Sequence, residues 1–115
     1  ISESINFYNG DILKYIEHYS YSAYNIFDLD FMCQLNTELI SRIVSVLDAK
    51  AEPRSIVSLT TSYGHGLTNE KYEKKLRPIL LQEIGQRFKI SAVNSTQYCD
   101  RHVPMKVEQI CIVKV

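Results

Sequence analysis

The sequence of 115 residues contains no tryptophan, only four glycines and three prolines, and no excess of either charge. So few glycines and prolines exclude a collagen-like chain or a long flexible linker. The apolar runs are far shorter than the roughly 20 residues of a membrane-spanning helix, so we expect no membrane partner. Because 13 basic residues balance 13 acidic ones, the net charge gives no general reason to expect nucleic acid, although a local basic patch could still bind it.

Three cysteines, at positions 33, 99 and 111, are also few, and their number is odd. Their spacing matches neither a zinc motif nor a paired-thiol redox motif, so we expect no metal site. The favoured interpretation is that they are buried as small apolar side chains in a reducing compartment, which predicts a cytoplasmic protein.

The composition is that of one ordinary globular domain. Apolar residues make up 45% of the chain and charged residues 23%, and the length suffices for a single core. We therefore predict one α/β domain over residues 1–115. The first residue is not methionine, and no signal-peptide pattern follows it. We expect the chain to be a processed product or a piece of a longer, larger domain.

Short β-rich runs alternate with amphipathic runs along the chain. Strands are predicted at residues 5–8, 24–31, 55–62, 90–98 and 106–115. A short helix is predicted at residues 11–18, and a second one begins at Asn36 or Thr37 and ends before Pro53. A long helix begins at Asn69, and Pro78 should kink or split it near residues 74–77.

The element order is therefore β-α-β-α-β-α-β-β. Alternating strands and helices favour a mostly parallel sheet with flanking helices. The last two strands are joined without a helix, so they should form a C-terminal antiparallel hairpin at the edge of that sheet.

Ligands of open α/β sheets bind beyond the carboxyl ends of the strands, and acidic residues follow two predicted strands here. Asp28 and Asp30 are two positions apart and so share one face of a strand. They could hold a polar ligand, or they could cap the next helix. Asp11 could likewise accept a hydrogen bond from a nucleotide, or simply cap its own short helix.

Several familiar motifs are absent. The chain has no Gly-x-Gly-x-x-Gly, no phosphate-binding Gly-Lys-Ser/Thr loop and no Gly-x-Ser-x-Gly elbow. The Gly64-His65-Gly66 segment is predicted to be an exposed loop whose glycines could allow the backbone close to a ligand.

Two segments resemble the carboxyl-terminal half of class I S-adenosylmethionine-dependent methyltransferases. Residues 7–13, Phe-Tyr-Asn-Gly-Asp-Ile-Leu, are similar to the family's segment after its third strand. Residues 24–31, Tyr-Asn-Ile-Phe-Asp-Leu-Asp-Phe, are similar to its fourth strand. The Asp-Leu-Asp-Phe stretch is also similar to Asp-x-Asp-Pro-Phe-Gly of tRNA guanine dimethyltransferases, with Phe31 in place of the proline. The remaining elements follow the family's order: a helix, a fifth strand, a helix and a closing hairpin.

This resemblance implies S-adenosylmethionine as the cofactor and methyl transfer to a nucleic acid or small molecule as the activity. It places Gly10, Asp11 and Ile12 at the cofactor, with Asp11 meeting the adenine amine, and it places Asp28 and Asp30 at the catalytic, methyl-transfer site. The family's strand order is 3-2-1-4-5-7-6, and its Gly-rich loop precedes the segments matched here. The resemblance therefore also implies that a missing N-terminal segment supplies strands, unless this chain pairs its strands differently.

Two other functions are compatible with the sequence. The chain could be a non-enzymatic interaction module of the immunity or accessory type, with an exposed sheet edge or its tyrosine-rich start binding another protein. Separately, the expected partner of the chain is a missing N-terminal segment or a further copy in a homo-oligomer. A third, less favoured function is a magnesium-dependent nuclease that uses Asp28 and Asp30.

Overall fold

The protein is described by a computed structural model that covers residues 11–18 and 23–115. The strand predicted at residues 5–8 and the proposed cofactor residue Gly10 lie outside the described residues. Within the described part of the chain, no helix is long and apolar enough to cross a membrane.

The helices and strands occupy the segments that the sequence pattern indicates, with longer strands. The elements are α1 (Ile12–His18), β1 (Tyr24–Gln34), α2 (Thr37–Lys50), β2 (Ala51–Ser62), α3 (Asn69–Lys71), α4 (Arg77–Gly85), β3 (Phe88–Asp100) and β4 (Val103–Lys114). A π-helical turn (Tyr72–Leu76) joins α3 to α4 and ends two residues before Pro78. The disruption predicted at the proline therefore takes the form of a widened turn rather than a break in the helix.

Local chemistry explains the bounds of α2. The Asn36 side chain accepts a hydrogen bond from the backbone N–H of Leu39 at 2.8 Å, which caps the first turn. Glu38 lies in that turn, where the helix dipole favours an acidic side chain. The helix ends at Lys50, before the backbone restriction that Pro53 imposes.

The four described strands form one sheet in the order β1-β2-β4-β3. β1 pairs with β2 in parallel, whereas β4 pairs antiparallel with both β2 and β3. The prediction of a mostly parallel sheet is therefore wrong, because only one of these three pairings is parallel. Since β4 alone runs against the other three strands, its position in the interior of the sheet makes two of the pairings antiparallel.

Polarity explains why β4, and not β3, takes the interior position. β4 carries the fully buried side chains of Ile110 and Ile112, whereas every residue from Ser91 to Asp100 of β3 is exposed. A polar strand loses little stability at the edge of a sheet, because its exposed side chains and its unpaired backbone groups can be hydrated there. The hairpin between them turns on Arg101 and His102 alone, both in the left-handed region with φ 50° and 69°. This two-residue turn replaces the connection of about seven residues that the sequence predicts.

The core lies between the helices and one face of the sheet. Phe27 and Leu29 of β1, Val57 and Leu59 of β2, and Ile110 of β4 are buried against the apolar sides of the helices. On the opposite side, which we call the open face, Ile26 and Ile56 are exposed among the described residues. The cysteines do not belong to the core: Cys33 and Cys99 are exposed and Cys111 is half-buried, so their predicted burial is wrong.

Candidate functional site

Asp11 caps α1, as one of the two interpretations of the sequence suggests. Its Oδ1 accepts hydrogen bonds from the backbone N–H groups of Leu13 at 3.0 Å and Lys14 at 3.4 Å. Its Oδ2 accepts a 2.7 Å hydrogen bond from Nη2 of Arg42 on α2. The Arg42 guanidinium lowers the pKa of the Asp11 carboxyl below its ordinary value, and the backbone donors add to this effect. The side chain is still 43% exposed, so its carboxylate can accept a further hydrogen bond.

Asp28 and Asp30 lie on the open face of β1, where both are exposed. Their partners across the parallel pairing are Ser58 and Thr60 of β2. β1 continues beyond them to Gln34, so they lie within the strand rather than at its end. The cap of the following helix is Asn36, and so neither aspartate has the capping role that the sequence left open.

A pocket of about 340 Å³ lies between α1 and β1. It brings together one predicted cofactor residue, Ile12, and one predicted catalytic residue, Asp28, with the aromatic side chains of Tyr15 and Tyr24 beside them. Its lining includes residues from both faces of β1, so it wraps around the outer edge of that strand. Asp11 and Asp30 are not among its lining residues.

The loop at the carboxyl end of β2 has the unusual backbone that its glycines suggested. Gly64, His65 and Gly66 all have positive φ values, of 96°, 48° and 97°. Gln34, at the end of β1, donates its amide to the carbonyl oxygens of Gly64 and His65. The loop is thus tied to the neighbouring strand end.

The largest polar cluster was not predicted, and it surrounds Glu108 of β4. This carboxylate has an exposed fraction of 0%. Nε of Arg77 donates to its two oxygens at 3.0 and 3.1 Å, the Tyr72 hydroxyl donates to Oε2 at 2.8 Å, and the Ser95 hydroxyl donates to Oε2 at 2.9 Å. A buried charge is tolerated when it is paired and hydrogen-bonded in this way.

The π-helical turn makes this convergence possible. Tyr72 and Arg77 are five residues apart, and Arg77 donates its backbone N–H to the Tyr72 carbonyl. In a regular α-helix, side chains five residues apart point about 140° away from each other. The wider π turn instead brings residues five apart to one side, so both side chains reach Glu108.

Lys106 forms a second part of the cluster. It lies two residues before Glu108 and on the same face of β4. Its side chain is 4% exposed, and its Nζ donates to Oε1 of Glu73 and to Oε1 of Gln97, both at 2.8 Å. The ammonium also lies over the rings of Tyr63 and Tyr72, at 5.2 and 5.4 Å from their centroids. These contacts compensate the desolvation of the ammonium.

Thr61 is directly opposite Lys106 in the pairing of β2 with β4, and it is 1% exposed. Its Oγ1 is the buried side-chain atom of the described residues that has no hydrogen-bond partner. We expect Thr61→Val to raise the free energy of unfolding by about 1 kcal/mol, because valine has a similar shape and removes an unsatisfied hydroxyl. Urea denaturation would measure this change.

The control for this prediction is Thr37→Val, at an exposed position in the first turn of α2. We expect it to change the free energy of unfolding by less than about 0.5 kcal/mol, as is usual for surface positions. A destabilised Thr61→Val protein would contradict the prediction and would mean that the hydroxyl has a partner in solution.

Sequence patterns could have indicated part of this cluster. Lys106, Glu108, Ile110 and Ile112 alternate along β4 and so share one face. Two charged residues in phase with two isoleucines indicate a buried ionic group. Their charged partners, Glu73 and Arg77, are more than 30 positions away, and no local pattern predicts those contacts.

Comparison of the chain with protein-family models, with curated proteins and with solved structures finds no significant match. Among the described residues, no group of three or more His, Cys, Asp or Glu side chains is arranged to hold a metal ion.

Proposed function

We propose that the chain is the C-terminal part of an S-adenosylmethionine-dependent methyltransferase-like domain that methylates a nucleic acid or a small molecule. The observation that carries this proposal is the strand order. The resemblance equates β1 and β2 with the family's fourth and fifth strands, and β3 and β4 with its sixth and seventh. The order β1-β2-β4-β3 then reads 4-5-7-6, which is the second half of the family's order.

This agreement is informative because the insertion of β4 is not the simplest arrangement. A closing hairpin would most simply extend the sheet, with β3 beside β2 and β4 at the edge. Here β4 instead lies between β2 and β3 and is antiparallel to both. The seventh strand of the family has this same position.

The side chains that line the pocket between α1 and β1 also support the proposal. Ile12 and Tyr15 offer apolar surface for the flat adenine ring. Asp28 of β1 lines the same pocket, and its side chain is exposed. Asp11 retains exposed surface at the start of α1. These residues fit the adenine end of the cofactor, whereas the loop for its methionine end would come from outside these residues.

When bound, the cofactor supplies the activated methyl group. The residues of this chain would bind and orient the reactants. Asp28 would accept a hydrogen bond from the acceptor group and so hold it towards the pocket. Asp11 would accept a hydrogen bond from the adenine amine while Arg42 keeps its carboxylate ionised.

The test is calorimetric titration of S-adenosylmethionine into the full translation product of the gene that encodes this chain. We expect saturable binding, weakened about tenfold or more by Asp11→Asn, because a hydrogen bond to a charged group contributes about 1.5–3 kcal/mol. Asp48→Asn is the matched control, since Asp48 is also an exposed aspartate paired with an arginine. Absence of binding, or equal affinities for the two variants, would overturn the proposal.

A further inference from the structure

β3 is one edge of the described sheet, and it differs from an ordinary protected edge. From Ser91 to Asp100 every residue is exposed, including those on the helix side of the sheet. Residues 90–99 contain no charged residue, no proline and no glycine. Natural proteins often protect a long edge strand with charged residues or proline, because unpaired backbone N–H and C=O groups bind other strands.

We propose that β3 pairs antiparallel with β3 of a second copy of this chain, which joins the two four-stranded sheets into one continuous sheet. This inference does not depend on the proposed methyltransferase function. The charges at the two ends of β3 favour a second copy as the occupant: Lys89 precedes the uncharged run and Asp100 follows it.

The charges at the ends of β3 select the register of this pairing, which has the two-fold axis at Ser95. An antiparallel pair about a two-fold axis normal to the sheet puts residues of the same face opposite each other. With the axis at Ser95, Asn94 of one copy faces Thr96 of the other, and Ala92 faces Tyr98. Without the register shift between Ile90 and Ala92, this axis would put Lys89 opposite residue 101 of the second copy. The shift moves the pairing by one residue, so Lys89 lies opposite Asp100 instead. This contact occurs at both ends of the interface.

The helix layer leaves room for a second sheet at this edge. Val93 is 36% exposed although it lies on the helix side of β3, so the helices stop short of the strand. Tyr98, on the open face, is 47% exposed. Pairing of the two copies would cover apolar surface of both side chains and would satisfy the outer backbone groups of β3.

The other edge, β1, lacks this self-complementarity. An antiparallel pair of two β1 strands centred on Leu29 would put Asp28 of each copy opposite Asp30 of the other. Like charges directly opposite each other destabilise a strand pair. The acidic pair therefore protects β1 against the association that β3 permits.

The test is the mass in solution, measured by sedimentation equilibrium on the full translation product over a range of concentrations. We expect a monomer–dimer equilibrium. The variant Asn94→Lys/Thr96→Lys sets lysine opposite lysine twice and should raise the dissociation constant at least about tenfold, a factor equivalent to 1.4 kcal/mol. The variant Asn94→Lys/Thr96→Glu sets lysine opposite glutamate twice and should dimerise like the native chain.

Gln109→Lys is the matched control, because it adds a charge to an exposed position on the same face of the neighbouring strand. It should leave the dimer intact. Three results would each overturn the proposal: a native protein that stays monomeric at every concentration, a Lys/Lys variant that dimerises as well as the native chain, or a Lys/Glu variant that is as monomeric as the Lys/Lys variant. Melting curves of each variant establish that the fold is kept.

Discussion

Arg77→Met is expected to lower the free energy of unfolding by about 3–5 kcal/mol, the largest effect of any single substitution considered. Glu108 is fully buried, and Arg77 is the cation that contacts both of its oxygens. Methionine fills much of the same volume but leaves a carboxylate without its counter-charge in a dry site. Urea denaturation monitored by circular dichroism would measure the loss.

The matched control is Arg87→Met, since Arg87 also pairs with a carboxylate, that of Asp48, at 2.7 Å. Both of those side chains are nearly half exposed, so we expect this change to cost less than about 1 kcal/mol. The double variant Arg77→Met/Glu108→Gln should recover much of the lost stability, because it removes the uncompensated charge. Equal losses for Arg77→Met and Arg87→Met would contradict the buried ion pair.

Tyr72→Phe is expected to lower stability by about 1.5–3 kcal/mol near neutral pH, because it removes a hydrogen bond to the buried carboxylate. The difference should also depend on pH. Burial raises the pKa of the Tyr72 hydroxyl far above its ordinary value of about 10, and the negative charge of Glu108 raises it further.

Stability depends on pH here because the folded state keeps the Tyr72 proton to a higher pH than the unfolded state does. Above pH 10, an unfolded Tyr72 loses its proton while the folded one keeps it, so unfolding releases a proton and stability falls as the pH rises. The slope of this residue's contribution grows above pH 10 towards a limit of about 1.4 kcal/mol per pH unit. Stability curves of the native protein and Tyr72→Phe should therefore converge between pH 10 and 11. Parallel curves over this range would contradict a neutral, buried Tyr72.

The local elements could be predicted because their causes are local. Asn36 caps α2, Asp11 caps α1, and Pro53 lies just beyond the end of α2, each as its residue type indicates. The shared face of Asp28 and Asp30 likewise follows from strand periodicity.

The order of the strands could not be predicted from the same patterns. Periodicity identifies a strand but not its neighbour, and the alternation of strands and helices suggested a mostly parallel sheet with an antiparallel hairpin only at its end. The informative contrast was between the polar run of β3 and the apolar alternation of β4, because a sheet buries its apolar strand in the interior. That contrast was available in the sequence and would have placed β4 beside β2.

The candidate site was predicted only in part. The pocket brings Ile12 and Asp28 together, but Asp11 faces Arg42, and Asp30 lies on the open face outside the pocket. The Glu108 cluster was missed because it depends on the π-helical turn and on pairings between distant segments. A charged residue in a strand is usually exposed, and only the shared face of Lys106 and Glu108 with Ile110 and Ile112 indicates that they are buried.

The interior position of β4 has a consequence for how the chain folds as it is synthesised. β4 follows every other described strand in the sequence, yet it joins β2 to β3. Until it emerges from the ribosome, β2 has β1 as its only neighbour among these strands, and β3 has none. The sheet can therefore be completed only after β4 has been translated, and the edges of β2 and β3 that pair with it lack this partner until then.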